Sequence, residues 1–130
     1  MALNDTLANA LSHLLNTEKA GKRDCVIQNS SKFMEDVLKI LKETKYIGEF
    51  KVIETNKGNH IEVNLISAIN KCGAIKPRFP IKKDNYEKFE KRYLPAKGFG
   101  ILVVSTSKGM MTHVQAMEKG IGGKLIAYCY

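Results

Sequence analysis

The sequence holds few of the residues that cross-link or break small folds. Of its 130 residues three are cysteine, three are proline and none is tryptophan. No CxxC pair and no Cys/His cluster occurs, so neither a zinc site of the usual ligand spacing nor any other bound metal or cofactor is expected. An odd number of widely spaced cysteines, Cys25, Cys72 and Cys129, predicts reduced and buried thiols.

Long hydrophobic runs and a secretory leader are also missing. Apolar runs such as residues 101–104 are far shorter than the roughly 20 residues that a membrane-spanning helix needs. The opening MALNDTLANAL has no basic segment ahead of a continuous apolar stretch. The sequence therefore predicts a soluble cytoplasmic protein with no membrane association.

Acidic residues are scarce in the second part of the chain. The net charge is +8, with a sequence pI near 9.4. Residues 1–75 carry ten Lys/Arg and nine Asp/Glu, a net of +1, whereas residues 76–130 carry eleven and four, a net of +7. Such a local field attracts polyanions such as nucleic acid or anionic lipid. The alternative is that the charge only keeps the protein soluble.

The first part of the chain shows the periodicities of a small α+β lobe. Apolar residues at helical spacing predict a helix over residues 5–20, followed by a strand at 25–28 and a second helix that begins at Ser30 or Ser31. Alternation of apolar and polar residues over 49–66, with a turn at 56–59, predicts a β-hairpin. The predicted order is αβαββ, and the lobe covers residues 1–75.

The second lobe, residues 76–130, is predicted to combine antiparallel strands with short helices. Asp84-x-x-Glu87 and Thr112-x-x-Gln115 both have the spacing of a helix capping box. Strands are expected at 100–104 and 124–130. The fold class is therefore α+β, in two small lobes.

A run of small hydroxyl side chains follows the first of these strands: Ser105, Thr106 and Ser107, then Lys108 and Gly109. Hydroxyls both donate and accept hydrogen bonds, and Lys108 adds a positive charge. Such a turn suits the phosphates, ribose hydroxyls and base edges of folded RNA. The alternative is a turn whose hydroxyls only satisfy nearby backbone groups.

Enzymatic machinery is not expected. The GxxxxGK[ST] spacing of a P-loop is absent. The three histidines, His13, His60 and His113, have no spacing typical of a metal site or a catalytic triad. We therefore predict no catalytic residues and no metal ligands.

The segment that contains the hydroxyl run, residues 100–116, also carries a family resemblance. Its pattern is a glycine, a short aliphatic strand, Ser/Thr-Thr, two free positions, a glycine, two aliphatics and then a small residue. Here the pattern is met by Gly100, Val103-Val104, Ser105-Thr106, Gly109, Met110-Met111 and Ala116. It resembles the motif of the universal ribosomal protein eight of the small subunit. That family usually has a basic residue after the alanine, where this chain has Met117.

The resemblance extends over nearly the whole chain. Residues 4–8 and 29–32 resemble the starts of the family's two N-terminal helices, and Gly122-Gly123-Lys124 resembles the start of its last strand. Arg78-Phe79 and the helix through Leu94-Pro95 resemble the archaeal and eukaryotic branch.

The resemblance implies a two-domain α+β protein that binds the central domain of small-subunit ribosomal RNA directly and helps nucleate assembly of the platform. It implies neighbouring small-subunit ribosomal proteins as partners, possible binding to its own messenger RNA, and a monomeric state outside the ribosome.

The implied RNA contacts divide into two sets. The first set is the turn itself: Ser105, Thr106, Ser107, Lys108 and Gly109. The second set is more scattered: Thr6, Ser31, Lys32, Tyr86, Gly122 and Gly123. Lys32 has an alternative reading as a solvated helix lysine, and Tyr86 as a core residue. The alternative function is a stand-alone double-stranded RNA-binding module, or a translational repressor acting on its own messenger.

Overall fold

The computed structural model describes residues 2–28, 31–56, 58–75, 80–96 and 99–130, with side chains from Leu7 onward. Its contacts divide the chain into two compact units, Met1–Lys71 and Cys72–Tyr130. The predicted segments at 29–30, 76–79 and 97–98 lie outside the described residues. Each unit is described by itself below.

The first unit has the predicted αβαββ order. Its elements are α1 (Ala2–Lys19), β1 (Asp24–Gln28), α2 (Lys32–Glu43), β2 (Ile47–Thr55) and β3 (Gly58–Leu65). The three strands form an antiparallel sheet in the order β1-β3-β2. The alternation predicted for the hairpin is confirmed, since Ile61, Val63 and Leu65 are buried and the residues between them face outward.

The second helix starts where the sequence placed it. Ser31 is its N-cap, and the Ser31 hydroxyl accepts a hydrogen bond from the Met34 backbone N–H at 3.2 Å. Four residues at helical spacing, Met34, Val37, Leu38 and Leu41, form its buried face as predicted.

The second unit contains more strands than predicted. Its elements are β4 (Cys72–Ala74), β5 (Pro80–Ile81), α3 (Tyr86–Tyr93), β6 (Ile101–Thr106), β7 (Gly109–Thr112), α4 (His113–Lys119) and β8 (Gly123–Cys129). They form an antiparallel sheet in the order β4-β8-β6-β7, with β5 also paired to β8. Strands β4, β5 and β7 were not predicted because segments of two to four residues are too short to show a period.

The pairing of strand β4 also locates the boundary between the two units. Cys72–Ala74 pairs with β8, so these residues belong to the second unit rather than to the end of the first. All three cysteines, Cys25, Cys72 and Cys129, are buried thiols.

One face of the second sheet and the two helices enclose an apolar core. Leu102, Val104 and Leu125 contribute from the central strands and have no exposed surface. Tyr86 of α3 and Ala116 of α4 pack against them. This core fixes β6, the strand that leads into the hydroxyl run.

The two capping predictions have different outcomes. The segment Asp84–Glu87 starts α3 as predicted, but its capping pattern is wrong: Asn85 rather than Asp84 is the N-cap, and Asn85 makes no side-chain cap hydrogen bond. The Thr112-x-x-Gln115 prediction is confirmed. Thr112 accepts from the Gln115 backbone N–H at 3.2 Å, and the Thr112 backbone N–H donates to Gln115 Oε1 at 3.1 Å. Gly120, with φ 66°, ends α4 as predicted.

Removing this cap has a measurable expected cost. Thr112→Ala leaves the Gln115 backbone N–H without its acceptor, and we expect it to lower the free energy of unfolding by about 1 kcal/mol. Urea denaturation followed by circular dichroism measures the change. Ser12→Ala, at an exposed position of α1, is the control and should cost less. Equal losses would contradict the capping role.

Candidate nucleic-acid interface

The predicted hydroxyl run forms the tip of a tight β-hairpin. Strand β6 pairs with β7 so that Ser105 lies opposite Met110 and Thr106 lies opposite Gly109. Ser107 and Lys108 are therefore the two residues of the turn. Gly109 has a φ of 109°, a conformation that side chains with a Cβ rarely adopt. The glycine thus allows β7 to begin immediately after the two-residue turn.

The three hydroxyls are used differently. Thr106 Oγ1 donates to the Gly109 carbonyl at 2.7 Å and accepts from the Lys108 backbone N–H at 3.1 Å. This is the local role that the sequence left open as an alternative, and it applies to Thr106. Within the described part of the chain, Ser105 and Ser107 have no side-chain hydrogen bond. Their hydroxyls remain available to a ligand.

Exposure increases toward the tip of the hairpin. Ser107, Lys108 and Gly109 are exposed, while Ser105 and Thr106 are half-buried. The preceding residues of β6 are fully buried. A rigid, packed strand therefore presents an exposed hydroxyl and an exposed ammonium group at a defined position.

The paired glycines Gly122 and Gly123, at the start of β8, lie beside this hairpin. A Cβ on Gly123 would collide with the Ser105 carbonyl oxygen, and a Cβ on Gly122 would collide with the Ile81 carbonyl oxygen. Both glycines thus permit close backbone approach within the second unit. Gly123 in particular brings the start of β8 against β6 at Ser105.

This close approach adds to the site a lysine, Lys124, that was not among the predicted RNA contacts. Lys124 pairs with Ser105 in the β6–β8 register and is exposed. Residues directly opposite in antiparallel strands lie on the same face, with Cβ atoms about 4.5–5.5 Å apart. Lys124, Ser105 and Met110 therefore share one face of the sheet. Sequence periodicity places Lys124 on a strand, but it cannot supply the register that joins it to Ser105.

The family model described as Ribosomal protein S8 matches residues 5–130. The chain belongs to the Ribosomal protein S8 family. It is accordingly a small-subunit ribosomal protein that binds ribosomal RNA, with a place in the ribosome beside other ribosomal proteins. Proteins of the family are structural RNA-binding proteins rather than enzymes.

Tyr86 does not belong to an exposed surface of this member of the family. Its side chain is 1% exposed, and its hydroxyl donates to the Ile121 carbonyl at 2.9 Å. Burial raises the pKa of the Tyr86 phenol. A ring in this position has no free face for a base, so the structure favours the core alternative and corrects the assignment of Tyr86 as an RNA contact.

The remaining predicted contacts belong to the first unit. Ser31 is exposed, but its hydroxyl already caps α2. The Lys32 side chain is 84% exposed and lies 3.4 Å from Asp36 Oδ1, one turn along the helix. An exposed i,i+4 pair of this kind contributes only about 0.3–0.5 kcal/mol, so Lys32 could still exchange Asp36 for a phosphate. The backbone of Thr6 lies in α1, and its side chain is outside the described residues.

No group of three or more His, Cys, Asp or Glu side chains that could hold a metal ion occurs among the described residues. No described helix is both long enough and apolar enough to cross a bilayer.

Proposed function

We propose that this protein binds the central domain of small-subunit ribosomal RNA directly, and that this contact helps to nucleate assembly of the platform. The contact surface is the tip of the β6–β7 hairpin together with the start of β8. Ser105, Ser107, Lys108, Gly109 and Lys124 form it, and Gly122 and Gly123 bring its parts together.

The observation that carries this proposal is that the turn exposes polar side chains and is held by its own hydrogen bonds. Ser107 and Lys108 are exposed directly after β6, a strand whose first four residues are buried. The Thr106 hydroxyl makes two hydrogen bonds within the turn, which hold the hairpin in one conformation before any ligand binds. Preorganised groups lose little conformational freedom on binding, which favours specific recognition of one RNA shape.

Charge supplies the part of the affinity that does not depend on sequence. Residues 76–130 carry eleven Lys/Arg and four Asp/Glu, so the second unit has a net charge of +7. Each phosphate that these cations neutralise releases condensed counterions. The logarithm of the binding constant should therefore fall with the logarithm of salt concentration by roughly 0.7–0.9 per neutralised phosphate.

Hydroxyls and backbone groups supply the discrimination. Ser107 Oγ can donate to or accept from a ribose hydroxyl or a base edge, and the open space beside the Gly109 α-carbon allows close approach of an RNA strand. Irregular RNA, such as an internal loop, exposes base edges that a regular A-form helix hides in its deep groove. A single folded element of RNA is thus the ligand that fits.

Three finer properties are part of the proposal. The chain is of the archaeal and eukaryotic type, it is monomeric outside the ribosome, and the same surface can bind a matching fold in its own messenger RNA. The last point follows from the physics, because a site that recognises shape cannot distinguish a ribosomal element from a faithful copy of it.

Chemical footprinting of small-subunit ribosomal RNA tests this function. The protein should protect one compact set of nucleotides in the central domain, and an excess of regular RNA duplex should not remove the protection. A stand-alone duplex-binding module would instead protect many helices and would be competed away by any duplex. That result would overturn the proposal.

A further inference from the structure

A buried histidine takes the place of a strand residue at the end of the β6–β7 ladder. Val103 pairs with Thr112, the last residue of β7, so the next pair in register would be Leu102 with His113. His113 begins α4 instead. Its ring Nδ1 accepts the Leu102 backbone N–H at 3.1 Å. The imidazole thus satisfies the donor that a continued strand would have satisfied.

The other ring nitrogen faces a buried carboxylate. His113 is 0% exposed and Glu90 of α3 is 4% exposed. His113 Nε2 lies 3.1 Å from Glu90 Oε2, although the ring N–H is not aligned for a hydrogen bond with any described acceptor. Because Nδ1 accepts from Leu102, the proton of the neutral ring sits on Nε2, toward the carboxylate. Buried polar groups of this kind are retained only where partners compensate their lost hydration.

Helix α3 therefore braces α4 at both ends. Glu90 faces His113 at the start of α4, and Tyr86 donates to the carbonyl of Ile121, just beyond its end. Tyr86 and Glu90 are four residues apart, so they lie on one face of α3. These two polar contacts set the position of α4, and the start of α4 is continuous with β7.

We propose that Glu90 and His113 are a positioning pair for RNA binding, which holds the hairpin carrying Ser107 and Lys108 in place. Among the residues that the structure describes, strand β7 is at the edge of its sheet and pairs only with β6, in a ladder of four residues. The imidazole anchors the end of that ladder opposite the turn. This inference rests on the proposed role of the hairpin and adds two residues that do not touch the ligand.

The pair has a spectroscopic property that simple space-filling would not require. Nitrogen NMR of the unmodified protein at neutral pH should show His113 with its proton on Nε2 and a hydrogen-bonded lone pair on Nδ1. The Leu102 amide should exchange slowly with solvent. A proton on Nδ1 would overturn the inference, since Leu102 could then not donate to that atom.

Two pairs of variants test the effect on binding. Glu90→Leu keeps the volume and removes the acceptor, whereas Glu90→Gln keeps an acceptor for Nε2–H. We expect Glu90→Leu to weaken binding of a central-domain RNA fragment about tenfold, because the buried Nε2–H of His113 would then face an apolar side chain, and Glu90→Gln to bind within about threefold of the unmodified protein. His113→Phe should resemble Glu90→Leu, while His113→Asn, whose Oδ1 can still accept from Leu102, should recover part of the loss.

Stability measurements distinguish a loss of affinity caused by a displaced hairpin from one caused by unfolding of the protein. Removing one partner of a buried polar pair leaves the other uncompensated, so Glu90→Leu and His113→Phe should lose stability as well as affinity. All affinities are therefore compared at a temperature where urea titration shows each variant fully folded, and Ser107→Ala is measured in parallel. Wild-type affinity in Glu90→Leu alongside a clear loss in Ser107→Ala would overturn the positioning role and leave the proposed function standing. No loss in Ser107→Ala would overturn both.

Discussion

Replacing Ser107 with alanine should weaken specific binding of the central-domain RNA by about 1–3 kcal/mol, roughly five- to 150-fold. Ser107 is exposed in the unbound protein, with no side-chain partner among the described residues, so its removal costs the fold nothing. In the complex, the RNA group that it faces would be buried without a partner. Titration of a labelled fragment in a filter-binding assay measures the change.

The matched control for Ser107 is a charged residue outside the hairpin. Lys39 is exposed on α2 in the first unit, and Lys39→Ala should change affinity only slightly and equally for all RNAs. Ser107→Ala should reduce the preference for the specific element over random RNA without changing the salt dependence, because a hydroxyl neutralises no phosphate. Equal and small effects of the two substitutions would show that the turn does not recognise the RNA.

Replacing Gly123 with alanine should lower the free energy of unfolding by about 1–3 kcal/mol, the usual cost of forcing an extra carbon into a packed site. The added Cβ would collide with the Ser105 carbonyl and lie 2.9 Å from Val104 Cγ1. The carbonyl belongs to the central strand β6 and cannot rotate away. The start of β8 must therefore move, which separates Lys124 from Ser105 and lowers RNA affinity as well.

Gly73 on β4 is the control for this substitution. A Cβ there would lie 2.9 Å from the hydroxyl oxygen and 3.1 Å from two ring carbons of Tyr128, a half-buried side chain that can swing away as a whole, whereas the Ser105 carbonyl is held in the sheet. We expect Gly73→Ala to cost less than about 1 kcal/mol, as tolerated substitutions usually do, with RNA affinity unchanged. Urea denaturation and filter binding on the same samples give both quantities. A Gly123→Ala protein with unchanged stability and affinity would contradict the close-approach account of the paired glycines.

The first unit could be predicted from the sequence because its elements are long enough to show their period. Helix α2 has 12 residues and buries five of them, four at the predicted helical spacing. Strand β3 alternates cleanly because one face of its sheet is covered and the other is open. Local propensity and burial agree in these elements, so the α+β class follows from the pattern alone.

The second unit depends more on long-range pairing. Strands β4 and β5 have three and two residues, and each exists because β8 supplies the partner backbone. Helix α3 begins without a side-chain cap, and two contacts from distant parts of the chain, through Tyr86 and Glu90, hold it. Such pairings leave no trace within a short window of sequence.

The site shows the same division. The hydroxyl run, the lysine and the glycine of the turn can be recognised directly, because they are consecutive. The internal use of the Thr106 hydroxyl, the burial of Tyr86 and the register of Lys124 beside Ser105 depend on pairing and packing. Likewise, the spacing of the three histidines in the sequence matches no motif, and it is the fold that brings His113 to Glu90 and Leu102.

The most direct test is hydroxyl-radical cleavage of the RNA from a probe tethered at the turn. Lys108→Cys supplies the attachment point, and the three native cysteines are 1–5% exposed, so they should not react. Bound to small-subunit ribosomal RNA, the probe at position 108 should cut one short region of the central domain, whereas a probe at Lys39→Cys should not cut there with comparable strength. Strong local cleavage from position 39 and none from position 108 would contradict docking through the hairpin.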